Sequence, residues 1–319
     1  MRAHHQFLNF MTALFVAALI ITSQYAALGN DGITLSKTRI HGASVCVIAV
    51  DLNDPSLMVD IGLPQKGITH HEAFGSFVKR RAPLAAVTGT YFDMRTLTPT
   101  GSIVIDGKVV HVSHIGTAVC FMSDNKVKFI EAGFGEACDL AGAQCGLRTG
   151  PRLLAGGQYA LNPRREGFRH PGLFGARIRM ALGVTADNKL LLVFVGTPVN
   201  FSKLASIMKA LHSMDAVCLD GGTSSAMYFK GRMVRKPGRM LTNLIEVYRR
   251  PLPLPTAKTA KVMLNAMRPP AHWRTIPVST DTPSRHESET TYVHTAIMCD
   301  MSWLRFTKGV HTLFPINRT

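Results

Sequence analysis

The sequence contains few acidic residues, few tryptophans and no closely spaced cysteine pair. Its 319 residues include 20 Asp and Glu against 36 Lys and Arg, with 2 Trp and 6 Cys. No Cys-x-x-Cys pair occurs, so the spacing typical of structural zinc sites and thioredoxin-like redox centres is missing. With 46% hydrophobic residues, the chain is too long and too apolar for disorder throughout or for a disulfide-stapled miniprotein.

The basic charge is spread along the chain and does not form a continuous run. The net charge of +16 divides into +10 for residues 1–248 and +6 for residues 249–319, and no five consecutive residues carry the same sign. A nucleic-acid site usually combines a stripe of Lys and Arg with interleaved aromatic residues. The densest clusters here lack that pattern, so we expect a basic surface and no nucleic-acid partner. These clusters are Lys79-Arg80-Arg81, Arg164-Arg165 and Arg235-Lys236.

The N-terminus has the pattern of an export signal. Arg2 and two histidines precede an uncharged run from Phe10 to Ser23, and Ala27 and Gly29 supply small residues for cleavage. The run is shorter than the roughly 20 residues that a membrane-spanning helix needs. We therefore predict a signal peptide over residues 1–29, with a retained membrane anchor as the alternative. Either reading predicts an exported protein, whether periplasmic, secreted or anchored to the membrane by this segment alone.

After this segment the hydrophobic pattern mostly has period two, which predicts strands joined by tight turns. Four antiparallel hairpins are expected from their turn residues. Their strand pairs are Ser44–Leu52 with Leu57–Leu63, Ile103–Ile105 with Lys108–Val112, Thr117–Met122 with Val127–Glu131, and Met180–Thr185 with Leu190–Val195.

Two helices are predicted against this background of strands. Thr69 and Glu72 have the spacing of a capping box before a helix that would bury Phe74, Phe77 and Val78. Ser202 is expected to open a second helix, which runs into a buried strand over residues 215–219. The predicted fold class is therefore α+β, with mostly antiparallel sheets and a few packed helices in a single domain over residues 39–248.

The last part of the chain has a different composition. Eight of the 17 prolines fall between Pro251 and Pro315, so residues 249–319 are predicted to be an irregular extension. Cys138 and Cys145 bracket a loop of small residues that a disulfide bond could close in an oxidising compartment. The alternative, two free thiols, remains equally open from the sequence.

The strongest candidate site is the segment Leu219 to Ser225. Asp220 follows a predicted buried strand, and Gly221 and Gly222 allow a sharp turn that exposes backbone N–H groups. Such a loop, with the hydroxyls of Thr223, Ser224 and Ser225, suits an anionic ligand such as a phosphate. Asp220 is then a sugar or metal ligand, or a catalytic carboxylate. The structural alternative is a tight turn with an Asx-type hydrogen bond.

Four further segments, taken in order with this loop, resemble the phosphodiester glycosidase family. They are Thr88-Gly89-Thr90-Tyr91-Phe92 followed by Asp93, Thr149-Gly150-Pro151, Arg179-Met180-Ala181-Leu182-Gly183, and Arg239 with Asn243 to Val247. The resemblance spans roughly residues 39–248. The family includes the lysosomal enzyme that uncovers mannose 6-phosphate and many bacterial envelope proteins linked to exopolysaccharide.

The resemblance implies hydrolysis of a sugar-1-phosphodiester, such as an N-acetylglucosamine-1-phosphodiester, in envelope or exopolysaccharide metabolism. The phosphate leaves readily, so the site needs a clamp for its charge and one group that stabilises the sugar cation or directs water. Asp220 is the expected carboxylate with Asp93 second, and Arg179 and Arg239 are the expected clamp. The substrate-binding residues are then Gly221, Gly222, Thr223, Ser224, Ser225, Arg239, Tyr91 and Gly150.

Two positions depart from the family pattern. Thr88 replaces the usual Asn, which removes an amide that both donates and accepts hydrogen bonds. Gly196-Thr197-Pro198-Val199 lacks the Asp-Gly-Arg often found there. A non-catalytic exported protein that binds anionic glycan is therefore the alternative function. No His or Cys cluster predicts a metal site, and a calcium or magnesium ion at Asp220 remains an open hypothesis.

Overall fold

The computed structural model describes residues 31–250 of the protein. The predicted signal peptide or anchor at residues 1–29, and all of the predicted extension except its first two residues, lie outside the described residues. Strands account for 48% of the described residues, and two α-helices accompany them. The fold is therefore predominantly β, and the expected α+β class is confirmed only in its antiparallel sheets and packed helices.

Seventeen strands form three sheets, and every strand pair of the described residues is antiparallel. The first sheet has seven strands and carries the longest β-ladders. In spatial order they are β1 (Ile33–Ile40), β2 (Ala43–Asp51), β13 (Lys189–Val199), β12 (Arg177–Thr185), β14 (Ser213–Leu219), β10 (Arg152–Ala155) and β11 (Gln158–Tyr159).

The second and third sheets have five strands each. The second contains, in spatial order, β16 (Arg232–Arg235), β15 (Met227–Phe229), β4 (Ala85–Thr88), β17 (Leu244–Arg249) and β3 (Leu57–Gly62). The third contains β6 (Lys108–His114), β5 (Gly101–Ile105), β9 (Ala143–Thr149), β7 (Thr117–Met122) and β8 (Val127–Ile130). One hydrophobic cluster collects buried side chains from all three sheets and forms the main core.

The two helices each cover the outer face of one sheet. Helix α1 (Phe74–Arg81) buries Phe74, Phe77 and Val78, as predicted, against the second sheet. Helix α2 (Phe201–Ala210) packs on the first sheet, and its apolar face forms a second core cluster. None of the helices that the structure describes in residues 31–250 has the length and apolar character needed to cross a bilayer.

The predicted helix starts are wrong in detail. Glu72 does not close a capping box, because its carboxylate binds the Gln65 N–H and Arg80, and the residue before the helix, Ala73, makes no side-chain cap. Helix α2 begins one residue earlier than expected. Its cap is Asn200, whose side-chain oxygen accepts from the Lys203 N–H at 2.9 Å.

Three of the four predicted hairpins are confirmed, and the first is wrong. Strands β5 and β6, β7 and β8, and β12 and β13 pair as expected. The turn after β2 is present, but β2 pairs with β1 and β13 while β3 pairs with β17 in another sheet. Both strands are buried on the main core, so the chain crosses from one sheet to the next at this turn.

The disulfide alternative between Cys138 and Cys145 is wrong, because both cysteines are free thiols. Cys145 belongs to the main core and lies 3.2 Å from the carbonyl oxygen of Val59. Cys138 packs with Val104 and Ala118 in a separate cluster. The two side chains therefore lie in different apolar clusters and do not meet.

Candidate active site

Three of the segments singled out in the sequence meet at the end of β14. The Asp220 N–H donates to the Gly89 carbonyl at 3.0 Å, which joins β14 to the loop after β4. The Thr149 hydroxyl donates to the Cys218 carbonyl at 3.1 Å, and Leu219 pairs with Met180 of β12. Asp220 therefore projects from a point that is fixed from several directions.

Burial and hydrogen bonding set the charge state of Asp220 in opposite directions. Burial raises the pKa of this carboxyl to about 6, although hydrogen bonds from Ser224 and the Gly221 N–H and the charge of Arg239 favour the ionised form. The Gly221 N–H lies 2.8 Å from Oδ1. A carboxylate that titrates near neutral pH in a partly enclosed position is typical of functional sites.

The glycines after Asp220 are required by the backbone. A Cβ on Gly221 would lie 2.8 Å from the Ile178 carbonyl oxygen, and Gly222 has a φ of +57°. The turn over residues 222–224 uses the N–H groups of Ser224 and Ser225 internally. Among the described residues, the N–H groups of Gly222 and Thr223 have no hydrogen-bond acceptor, so these two are the ones available to an anion.

The sequence suggested that the three hydroxyls of this loop share one environment, but the structure places them in different ones. Thr223 is exposed, whereas Ser224 is buried and bonded to Asp220. Ser225 is fully buried, and its Oγ has no hydrogen-bond partner within residues 31–250. Thr223 is thus the hydroxyl best placed to reach a ligand, and Ser224 acts on the carboxylate.

Asn243 fixes the loop that carries Tyr91, although the sequence analysis did not place it among the site residues. Its Oδ1 accepts from the Thr90 N–H at 2.7 Å, and its Nδ2 donates to the Thr90 carbonyl at 3.2 Å. A Cβ on Gly89 would lie 2.1 Å from Asn243 Oδ1, so only glycine allows this approach. The sequence feature that could have indicated Asn243 is its position in the Arg239 to Val247 segment, which resembles the family pattern.

Tyr91 lies beside Asp220 and Cys218, and its assignment to substrate binding stays a prediction. Its hydroxyl is 3.4 Å from Cys218 Sγ, and its ring centroid is 5.7 Å from that of Phe168. Burial raises the pKa of Tyr91 well above its ordinary value, and the neighbouring Cys218 and Asp220 add to this effect. Burial also raises the pKa of Cys218 to about 11, so this thiol is protonated and is not a nucleophile.

Arg179 donates hydrogen bonds from Nε and Nη2 to backbone carbonyls of the protein. Its Nε donates to the Val199 carbonyl at 3.1 Å, and its Nη2 donates to two carbonyls of the loop before β12. The guanidinium also lies 4.2 Å from the ring centroid of Phe201, and the residue is 3% exposed. These contacts hold the guanidinium near Cys218 and Tyr91, and its expected place in the phosphate clamp stays a prediction.

Arg239 has the properties expected of the phosphate clamp. It is half-buried, and its charge stabilises the ionised form of Asp220. No carboxylate within the described ranges lies at ion-pair distance from it. Its one side-chain hydrogen bond among the described residues goes from Nη1 to Met94 Sδ at 2.7 Å. Its donors are thus available to an anion in front of Asp220.

Asp93 and Gly150 have local structural roles. Asp93 is exposed, and its Oδ1 accepts from the Arg95 N–H, the Thr96 N–H and the Thr96 hydroxyl, which lower its pKa. This carboxylate closes a turn and is not enclosed as Asp220 is. A Cβ on Gly150 would lie 2.9 Å from Glu166 Oε2 and 3.1 Å from the Phe168 ring, so Gly150 shapes the wall behind Tyr91.

The structure also shows where the two departures from the family pattern lie and which groups near Asp220 could bind a metal ion. Thr88 is buried at the end of β4, and Thr197 lies within β13, where its Oγ1 accepts from the Ser44 N–H at 3.0 Å. No group of three or more His, Cys, Asp or Glu side chains in residues 31–250 could hold a metal ion. A calcium or magnesium ion at Asp220 would take its remaining ligands from backbone oxygens and water.

Comparisons with known proteins identify one family and two structures of similar fold. The family model of phosphodiester glycosidase matches residues 82–251. A hypothetical protein from Synechocystis has a similar fold, with a TM-score of 0.59 and 12% identity, and the match covers 68% of this chain and 62% of that protein. The chain thus spans less than two thirds of that relative.

A second structure with a similar fold is the catalytic domain of zebrafish N-acetylglucosamine-1-phosphodiester alpha-N-acetylglucosaminidase, auto-inhibited by its pro-peptide. The TM-score is 0.56 with 23% identity over 68% of this chain and 82% of that one. A comparison with curated proteins gave no significant match. The family match covers more than half of the chain and includes the Asp220 loop, Arg179, Arg239 and Asn243. The chain belongs to the phosphodiester glycosidase family.

Proposed function

We propose that this protein is an exported hydrolase that cleaves the bond between the anomeric carbon and the phosphate oxygen of a sugar-1-phosphodiester. An N-acetylglucosamine-1-phosphodiester is the first substrate to test, with a role in envelope or exopolysaccharide metabolism. One observation carries this proposal. Asp220, whose pKa is raised, lies near Arg239, which has no carboxylate partner within residues 31–250. The family match supports a hydrolase of this type.

The proposed mechanism assigns a separate task to each side of the site. Arg239 and the N–H groups of Gly222 and Thr223 hold the phosphate, whose charge grows as the glycosidic bond breaks. The leaving phosphate monoester has a second pKa of about 6, so it departs without a strong general acid. The Asp220 carboxylate stabilises the cationic sugar and orients water toward the anomeric carbon. Water adds there, and the products are a reducing sugar and the phosphate monoester of the aglycone.

Isotope labelling tests which bond breaks. The full-length protein is incubated with sugar-1-phosphodiesters in H₂¹⁸O, and the products are separated and analysed by mass spectrometry. We expect ¹⁸O in the reducing sugar. Label in the phosphate monoester would mean attack at phosphorus and would overturn the mechanism. Saturable binding without product would instead indicate the non-catalytic glycan-binding alternative.

The kcat/KM profile is expected to fall on the acid side of pH 6. Asp220 has a pKa of about 6 and must be ionised to stabilise the sugar cation, so kcat/KM should drop roughly tenfold per pH unit below that value. Ser224→Ala removes a hydrogen bond that favours the ionised carboxylate, so the acid limb should move to higher pH. Ser206→Ala, on the exposed side of α2, serves as the control and should leave the limb in place. If Ser224→Ala left the acid limb in place, the limb would not report the titration of Asp220.

Asn243→Ala is expected to lower both stability and kcat/KM. The buried Thr90 N–H loses its acceptor, which costs about 1–3 kcal/mol. The loop that positions Tyr91 beside Asp220 also loses its support, so kcat/KM should fall by roughly tenfold or more. Thermal unfolding and steady-state kinetics measure the two effects. Asn53→Ala, which removes exposed hydrogen bonds far from the site, should leave kcat/KM unchanged.

A further inference from the structure

The segment that leads from the Asp220 loop to Arg239 has an unusual charge pattern. Residues 230–239 contain five basic residues and no acidic one. Lys230 forms an ion pair with Asp31, but the other four basic residues have no carboxylate at ion-pair distance within residues 31–250. The proposed phosphate clamp uses only Arg239, so the charges of Arg232, Arg235 and Lys236 are still without a role.

Strand register places Lys37 and Leu219, the residue before Asp220, in one row across the first sheet. Lys37 of β1 lies opposite Cys46, and Cys46 lies opposite Phe194 of β13. Phe194 in turn lies opposite Met180, which lies opposite Leu219, the residue before Asp220. Directly opposed residues share one face of a sheet, and neighbouring strands are about 4.8 Å apart. The row from Lys37 to Leu219 thus spans roughly 20 Å.

Basic side chains from β16 lie over this row. The Arg235 guanidinium is 5.5 Å from the ring centroid of Phe194, and its Nε is buried with no partner among the described side chains and backbone. The charges of Arg232 and Lys37 both act on the Cys46 thiol and oppose the increase in its pKa that burial causes. Lys37, Arg232, Arg235 and Arg239, which we name the basic strip, therefore succeed one another from the sheet edge toward Asp220.

We propose that the basic strip binds a polyanionic chain, a glycan or polyol polymer with repeating phosphodiester groups, whose sugar-1-phosphodiester reaches Asp220. This inference rests on the proposed function and names the substrate class of the same site. Charges that follow one another along this row can meet several phosphates of an extended chain, which a small neutral aglycone would not use. The strip contains no exposed aromatic side chain on which bases could stack, which disfavours a single-stranded nucleic acid.

Binding is tested on the full-length protein with a fluorescent poly(glycerol phosphate) of about ten repeats as the probe. The background is Asp220→Asn, so that no turnover disturbs the equilibrium. Arg232→Gln with Arg235→Gln should weaken binding at low salt by roughly tenfold or more and flatten its salt dependence. Lys37→Gln, at the exposed far end of the strip, should weaken it in the same direction. The matched control, Lys108→Gln with Lys128→Gln, removes two exposed charges from the third sheet and should change binding less than twofold.

Turnover separates the strip from the proposed function. On the otherwise wild-type protein, the double Arg variant should raise KM for a polymeric substrate and leave kcat and KM for a small sugar-1-phosphodiester unchanged. Equal losses in the double Arg variant and in the control Lys108→Gln with Lys128→Gln would overturn the proposed role of the basic strip, as would tighter binding to an oligonucleotide or to anionic vesicles. If no phosphodiester is hydrolysed but the strip variants lose the probe and the control does not, the proposed function fails and the binding role of the strip stands.

Discussion

Asp220→Asn is expected to reduce kcat/KM on a sugar-1-phosphodiester by about a thousandfold. The substitution keeps the shape of the side chain and an oxygen that can accept the Gly221 N–H, but it removes the negative charge that faces the sugar cation. Positioned charges and proton-transfer groups typically contribute factors of about 10² to 10⁴ to catalysis. Steady-state kinetics on the full-length protein measure the loss.

The same variant is expected to unfold at an equal or higher temperature than the wild type at pH 7.5. Asp220 has a pKa of about 6 in the folded protein, above the ordinary value of 3.8. A raised carboxyl pKa means that stability is lost as the pH rises through the window from about 4 to 6, so at pH 7.5 the folded wild type carries an unfavourable charge. Asparagine carries none. Loss of activity together with retained stability would show a functional and not a structural role.

Asp93→Asn provides the matched control for Asp220→Asn. Asp93 is exposed and its carboxylate is bonded within its own turn, so the change should alter kcat/KM less than about threefold. A large loss in Asp93→Asn together with a small one in Asp220→Asn would reverse the assignment of the catalytic carboxylate.

The sequence predicted the elements that depend on local chemistry. The two-residue turn Asp106-Gly107 predicted the hairpin of β5 with β6, and the short turn at residues 186–188 predicted that of β12 with β13, because the turn sets the strand pairing. The failed hairpin shows the limit of that reasoning. Asn53 to Ser56 do form a turn, but β2 and β3 both bury side chains in the main core, and which sheet each strand joins is decided by long-range packing. The predicted capping box at Glu72 does not form for a related reason, because its carboxylate pairs with Arg80.

The site could be located from the sequence, but the tasks of its residues could not. The Asp220 loop was found because a buried strand followed by an acidic residue and two glycines is a rare local pattern. Arg179 and Arg239 look alike in the sequence, yet one donates to three carbonyls and the other has none within reach. Asn243 binds a loop 153 residues away along the chain, and a local pattern does not indicate such a contact.

A partly buried ionic cluster links the end of α1 to β3 and β17 of the second sheet. Glu246 on β17 is fully buried, and its Oε2 accepts from Arg81 Nε at 2.8 Å and from the Tyr248 hydroxyl at 2.9 Å. Arg81, at the end of α1, also binds Asp60 on β3 at 2.7 Å. Burial raises the pKa of Glu246, and the charge of Arg81 opposes this effect. The ionised carboxylate therefore depends on Arg81 as its partner.

Arg81→Met is expected to destabilise the protein by about 3–5 kcal/mol, because it leaves a buried carboxylate without its countercharge. Urea unfolding followed by circular dichroism measures the loss, which should become smaller as the pH is lowered, because Glu246, whose pKa burial raises, then takes up a proton. Arg81→Met with Glu246→Gln removes both charges and should recover much of the stability. Arg80→Met is the adjacent control, since it breaks a more exposed pair with Glu72 and should cost about 1 kcal/mol or less. Equal losses in Arg80→Met and Arg81→Met would assign the effect to the packing of the arginine side chains and not to the buried charge.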